Sequence, residues 1–212
     1  MLTERQREQL TRISTRLRLP ARTVIYEEGE PAGAVYAIED GVVKSCRDLR
    51  SGKRVVNAFL FRRDLFGLSE NGCYVNAARA VTRVSLYRLP MNELATLLKQ
   101  DGEIQFTFLT KVTHELRESQ RRSVVISRRD AAGRLAMFVV LMRNRDLPPS
   151  GDARLIPLPM TRSDIAGFLG LSLESVSRAA RELQRLGVLH FEGRHGARVL
   201  SDAKLSRLVA AV

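Results

Sequence analysis

The sequence predicts an α+β chain in which an N-terminal antiparallel β-roll leads through a long helix into a C-terminal winged helix-turn-helix. Three observations carry this. Between Thr23 and Leu89, short β-prone runs alternate with Gly-containing turns. Between Gly102 and Ser127, a seam recurs at alternating spacings of three and four. Between Thr161 and Gly187, two short helical patterns flank Gly170-Leu171-Ser172. The expected division is residues 1–101 for the roll, 102–127 for the connecting helix and 128–212 for the C-terminal domain.

Residues Leu2–Leu17 mix charge with Leu10 and Ile13, as a short amphipathic helix does. The expected strands are Thr23–Tyr26, Val35–Ile38, Val42–Arg47, Arg54–Phe61, Ala77–Val81 and Val84–Leu89. Turns are marked at Glu28-Gly29-Glu30, Glu39-Asp40-Gly41, Ser51-Gly52 and Asn71-Gly72. Pro90 opens a helix through about Leu98. In the next helix, Leu109, Val112, Leu116, Ser119, Ser123 and Ile126 form a heptad-like seam, the candidate dimer interface. Packing on its own domain is the rival reading, and the polar Ser119 and Ser123 weaken a coiled coil. Ile126–Asp130 is the expected hinge. Ala131–Asn144 forms a further helix with Leu135, Phe138, Val139 and Met142 inward, and Pro148-Pro149-Ser150-Gly151 breaks it.

In the two-helix segment, Thr161 suits an N-cap and Asp164 the first turn. Ile165, Phe168 and Leu169 share a face. Gly170 suits the left-handed end of the first helix, and Ser172 caps the second. Val176, Ala179, Ala180 and Leu183 supply the buried stripe of that second helix, which Gly187 ends. Its other face carries Leu173, Glu174, Ser177, Arg178, Arg181 and Arg185. An arginine donates twice to guanine O6 and N7, and a carboxylate accepts from cytosine N4. Glu174 and Arg178 therefore suit the two bases of one G·C pair, and Leu173 suits a thymine methyl. An isolated solvated helix face with an i, i+4 pair is the bland alternative; the preceding helix and the basic surroundings favour DNA. Val188–Phe191 and Ala197–Leu200, joined by Gly193-Arg194-His195-Gly196, read as the wing hairpin, with Arg194 and His195 near backbone phosphates.

The run Met160-Thr-Arg-Ser-Asp-Ile, followed by Leu169-Gly-Leu-Ser-Leu-Glu-Ser-Val-Ser-Arg178, resembles the CRP/FNR superfamily of bacterial regulators, and within it the FNR/FixK branch with its Glu-x-x-Ser-Arg motif. The phrase Gly29–Lys44 is similar to the jelly-roll, cyclic-nucleotide-binding-like sensor domain of that superfamily. The resemblance implies a TTGAT-N4-ATCAA target and a homodimer. It also implies phosphate contacts from Arg162, Ser163, Ser172 and Ser175; Thr161, Arg181 and Arg194 are further candidates. RNA polymerase is the implied partner of an activator, in a low-oxygen, nitrogen-fixation or denitrification response.

Members that bind cyclic AMP carry Gly-Glu and Arg-Ser/Thr pairs around the phosphate. Here Gly67 is followed by Leu68, and the second pair is Asn76-Ala77, leaving Arg79 as the nearby cation. Iron–sulfur members need four cysteines, and this chain has Cys46 and Cys73. His114, His190 and His195 fall outside the roll. No cofactor and no metal site are therefore expected. A regulator gated by a small molecule, haem or a thiol (Cys73 being the redox candidate) is the alternative, and a cyclic-nucleotide-binding module of an enzyme complex a remote one.

Composition bounds these readings. The chain has 212 residues, 44% of them hydrophobic, and a formal net charge of +12. From Arg128 onward 14 Lys/Arg face 8 Asp/Glu, so the C-terminal part is the more basic per residue. Two cysteines suit a reducing compartment. No apolar run reaches spanning length, and the N-terminus is too polar for a signal peptide, so a cytoplasmic place without membrane is expected. No P-loop and no Gly-x-Ser-x-Gly appears, so an enzyme is not expected.

Overall fold

The computed structural model describes residues 3–69, 71–127, 130–145, 147, 152–193 and 196–210. The chain forms two compact units, one of Met1–Arg47 with Asn57–Ser119, the other of Asp48–Val56 with Gln120–Val212.

The first unit begins with α1 (Glu4–Ile13), whose Thr3 and Gln6 exchange the two bonds of a capping box. Among the described residues eight strands follow: β1 (Thr15–Leu19), β2 (Val24–Tyr26), β3 (Ala34–Asp40), β4 (Val43–Asp48), β5 (Arg54–Leu60), β6 (Leu65–Phe66), β7 (Ala77–Ala80) and β8 (Val84–Pro90). They form two four-stranded sheets, ordered β1-β8-β3-β6 and β2-β7-β4-β5. Tyr36, Ile38, Val84 and Leu86 of one sheet meet Tyr26, Val43, Ala78 and Ala80 of the other in a single core. Tyr26 lies at the centre of its aromatic part, 3.7 Å from the Tyr74 ring centroid, 5.8 Å from Tyr36 and 6.0 Å from Phe66. The Tyr74 hydroxyl donates to Ala34 O and accepts from Ala34 N–H, and burial pushes its pKa up to about 12.

The expected first helix stops early, because Ser14 is extended and Thr15–Leu19 pairs in register with β8. The alternation Thr-Arg-Leu-Arg-Leu carries that strand's period of two, and Leu17 and Leu19 pack on the core. Two further helices are α2 (Met91–Gln100) and α3 (Gly102–Ser127). Ile104 and Phe108 of α3 are buried with Val35, Leu89 and Leu94.

The second unit holds the C-terminal end of α3 and α4 (Ala131–Arg143), capped by the Asp130 carboxylate on Gly133 N–H. Then come β9 (Leu155–Pro157), α5 (Arg162–Leu169), α6 (Leu173–Arg185), β10 (Leu189–Glu192), β11 (Gly196–Val199) and α7 (Asp202–Ala210). The strands form an antiparallel sheet ordered β10-β11-β9, so the wing has a third strand that its short sequence did not announce. Leu135, Phe138, Val139 and Met142 are buried as expected. The expected hinge residues Arg128 and Arg129, the break at Pro148–Gly151, and Arg194 and His195 lie outside the described residues.

This unit also contains the hairpin tip Asp48–Val56, and Gly167 of α5 lies against it. A Cβ on Gly167 would stand 2.8 Å from Arg54 O and 3.3 Å from Val56 Cγ2. Replacing a mid-helix glycine by alanine ordinarily gains about 1 kcal/mol of helix propensity. Here the obstacle is backbone, and overpacking costs about 1–3 kcal/mol. Gly167→Ala should therefore lower stability, or at best leave it unchanged, in denaturant unfolding; a gain of about 1 kcal/mol would show that the hairpin does not press on α5.

Candidate nucleic-acid interface

The first helix of the pair, α5, is short, so its ends need partners. At its start, the Thr161 hydroxyl accepts from Asp164 N–H at 3.1 Å, and the Asp164 carboxylate accepts from Thr161 N–H at 3.2 Å. The same hydroxyl donates to Asp164 at 2.8 Å, so Thr161 is committed to the cap. At its end, Gly170 takes the left-handed conformation with φ 66°, and Leu171 N–H reaches back to Ala166 O. Two arginines that periodicity does not reveal complete this end. Arg122 of α3 donates to Phe168 O at 3.1 Å, and Arg134 of α4 to Leu169 O at 3.0 Å. Positive charge there suits the negative end of the helix dipole.

Ser172 caps α6, accepting from Ser175 N–H at 3.0 Å while its hydroxyl donates to Ser175 Oγ at 2.9 Å. Val176, Ala179, Ala180 and Leu183 are buried, and α6 packs on α4, α5 and β10. That packing leaves Leu173, Glu174, Ser177, Arg178 and Arg181 exposed. Arg178 and Glu174 form an i, i+4 pair at 3.5 Å, the two side chains 63% and 76% exposed. Such a pair is worth only about 0.3–0.5 kcal/mol, so it orients both groups without holding them. Ser177 donates to Leu173 O at 2.9 Å, and Arg181 Nε reaches Ser177 O at 3.4 Å. Ser163 is exposed, whereas Arg162 is half-buried, its Cζ 4.4 Å from the centroid of the Phe191 ring. A cleft of about 720 Å³ beside this surface is lined by Lys53, Arg54, Ser163, Gly167, Ser172 and Leu173.

The wing is pinned by Arg198 of β11, which donates to Glu192 of β10 and to Asp152 ahead of β9. Arg198 lowers the Glu192 pKa. Asp152 is lowered first by the Arg154 backbone N–H and then by Arg198, whose own pKa is raised by both carboxylates.

The seam of α3 separates into parts. Leu109, Val112 and Leu116 are exposed, and so are Ser119 and Ser123. Ile126 is half-buried, since a straight helix at about 100° per residue drifts away from a seven-residue repeat. Phe106 and Val124 extend the exposed stripe at both ends, with Phe106 66% and Leu116 59% exposed. Cys73 is exposed and Cys46 buried.

A model of the "Cyclic nucleotide-binding domain" family matches residues 16–101, and one of the "Crp-like helix-turn-helix domain" family matches residues 133–208. Transcriptional activator protein anr of Pseudomonas aeruginosa is 27% identical over 186 residues, 87% of this chain and 76% of that protein. Nitrogen fixation regulation protein FixK of Bradyrhizobium diazoefficiens is 26% identical over 202 residues, 94% of this chain and 84% of that protein. The solved structure of FixK2 from Bradyrhizobium japonicum is 31% identical, with a TM-score of 0.84, covering 94% of this chain and 99% of that one.

The roll's residues do not fit a cyclic nucleotide. A cyclic phosphate calls for a cation or several donors. Ala78 and Ala80 of β7 point into the core, so Arg79 between them lies on the other face of the strand, and it donates to both oxygens of Glu27 at 2.9 and 3.1 Å. The Asn76 carbonyl accepts from Asn57 at 2.6 Å. Tyr26, Tyr36, Phe66 and Tyr74 fill the space between the sheets.

The wing clamp should be acid-sensitive. Glu192 and Asp152 have depressed folded pKa values, so their contribution is present above the unfolded values of 4.5 and 3.8 and is lost as pH falls through the lower folded ones. Amide exchange in β10 and β11, corrected for the intrinsic rate, should rise below about pH 4, and Arg198→Ala should raise it already at neutral pH. Unchanged protection in that variant would remove the clamp.

Proposed function

The chain belongs to the Crp/FNR family of transcription regulators, and we propose that it acts as an FNR/FixK-type member, a homodimer binding a TTGAT-N4-ATCAA-like palindrome. The observation that carries this is the alignment of Glu174, Ser177 and Arg178 on the exposed face of α6, one turn from a capped N-terminus. Arg178 donates to guanine and Glu174 accepts from cytosine of the same pair, while Leu173 meets a thymine methyl. Arg162, Ser163, Ser172, Ser175, Arg181 and Arg194 contact phosphates and set the register, while Thr161, expected among the phosphate contacts, has both its donors on Asp164 and instead holds the turn that carries Arg162 and Ser163. Counterion release supplies most of the affinity.

A palindrome needs a two-fold partner. The stripe Phe106, Leu109, Val112, Leu116 and Val124 lies opposite the buried Ile104, Phe108 and Val125 on the same helix, and a second copy covers it. In this reading residues 1–101 are the sensor roll, 102–127 the dimer helix and 128–212 the DNA-binding domain. The poor fit of the roll to a cyclic nucleotide supports a protein that binds DNA without a cofactor. The name of anr, a transcriptional activator, supports an activator, and that of FixK supports nitrogen-fixation regulation. In this reading the protein works with RNA polymerase in a low-oxygen, nitrogen-fixation or denitrification response, in the cytoplasm where the DNA lies.

Fluorescence anisotropy with a TTGAT-N4-ATCAA duplex and a scrambled duplex, effector-free and near physiological salt, tests the reading. Strong preference for the palindrome is expected, and equal binding overturns the base assignment. Arg178→Ala should cost about 1–3 kcal/mol per half-site and flatten discrimination at its G·C pair; equal loss on both duplexes would assign Arg178 to phosphate instead. Leu116→Arg should shift the protein to monomer in sedimentation velocity and abolish preference for the two-sided site. A variant that stays dimeric places the interface elsewhere.

A further inference from the structure

Arg162 occupies a position that the free protein has reason to avoid. It is the first residue of α5, at the positive end of the helix dipole, which the Asp164 carboxylate of the capping box partly offsets. It is half-buried, and burial lowers its pKa. Among the described residues no carboxylate meets its guanidinium; its partner is the Phe191 ring of β10, with Cζ 4.4 Å from the centroid.

The other well-placed arginines differ. Arg79 is held by Glu27, Arg198 by Glu192 and Asp152, and Arg54 by both oxygens of Asp48. A carboxylate takes up the in-plane N–H donors that an incoming phosphate would use. An aromatic ring attracts the cation through its face and consumes none of those donors. Arg162 is thus fixed in place while its hydrogen-bonding edge stays free. Phe191 shares its strand face with the buried Leu189, whereas Glu192 is turned to Arg198. The Arg198 clamp therefore also fixes the strand that carries the ring.

We propose that Phe191 is a positioning residue for DNA binding, its ring holding the Arg162 guanidinium at the N-terminus of α5 for one backbone phosphate in each half-site. The inference rests on reading α5 and α6 as the DNA interface. It assigns the wing strand a second duty beside any contact made by the wing tip.

The test is the salt dependence of anisotropy for wild type, Phe191→Leu, Arg162→Ala, the double variant and Phe191→Tyr, on the TTGAT-N4-ATCAA duplex and on a scrambled one. Each phosphate contact contributes about 0.9 to the slope of log affinity against log salt. Phe191→Leu should flatten the slope by about 1.8 for the dimer and weaken binding roughly tenfold. Arg162→Ala should do the same, the double variant no more than either, and Phe191→Tyr should restore wild-type behaviour. An unchanged slope in Phe191→Leu, or additive losses in the double variant, would overturn the proposal. Thermal melting verifies folding, and Phe191→Met replaces Leu if that variant unfolds. If wild type binds both duplexes alike, the base-reading assignment fails, while the slope comparison still decides the role of Phe191.

Discussion

The burial of one narrow stripe of α6 orients the polar face that this helix turns outward. Val176, Ala179, Ala180 and Leu183 are buried against α4, α5 and β10. Fully burying a valine or leucine is worth about 1.5–3 kcal/mol, several times the Glu174–Arg178 pair on the opposite face. Packing, not the ion pair, therefore decides which way the helix faces. A turn of α6 by one residue, about 100°, would carry charged groups toward the core, where unpaired burial is far more costly. The two alanines let the backbones come close, so the orientation is set sterically as well as by transfer energy.

That stripe needs a fixed surface to pack on, and α5 supplies part of it only because both its ends are held. Eight residues form a marginal helix in water. The Thr161–Asp164 box satisfies donors at one end, and Gly170, Arg122 and Arg134 satisfy acceptors at the other. Arg122 adds a contact of 5.5 Å with the Phe168 ring centroid, and Phe168 in turn lies 5.4 Å from Phe138. The C-terminal end of α3, α4 and α5 are tied in this way through backbone carbonyls and one aromatic cluster. A change at any of these groups reaches α6 through its packing surface.

What could be read in the sequence was local. Thr161, Ser172 and Gly170 were legible because caps and left-handed turns restrict residue type at fixed offsets. The buried stripes of α4 and α6 were legible from period alone. Strands β1, β6 and β9 were not: two or three of their residues give no period, or their alternation is drowned by neighbouring charge, and pairing with distant strands creates them. The arginines were the least legible feature of the candidate site. Arg122 and Arg134 look like ordinary surface cations in sequence, Arg162 is marked there only by the family resemblance, and only the fold brings them to carbonyls or to a ring.

The +12 charge is therefore a poor guide by itself, and the partners of the individual arginines are a better one. Arginines matched with carboxylates, such as Arg198 with Glu192 and Asp152, hold structure, since their donors are occupied and their charge is cancelled. Those on helix-end carbonyls complete the framework and keep part of their charge. A cation left with only an aromatic face for a partner keeps both its charge and its donors. It adds little to the free fold, and in the proposed reading it contributes most to a complex with a polyanion. Sorted this way, a surface that reads as uniformly basic resolves into framework and candidate interface, and the interface proposed above includes the face on which α6 turns Glu174, Ser177 and Arg178 outward.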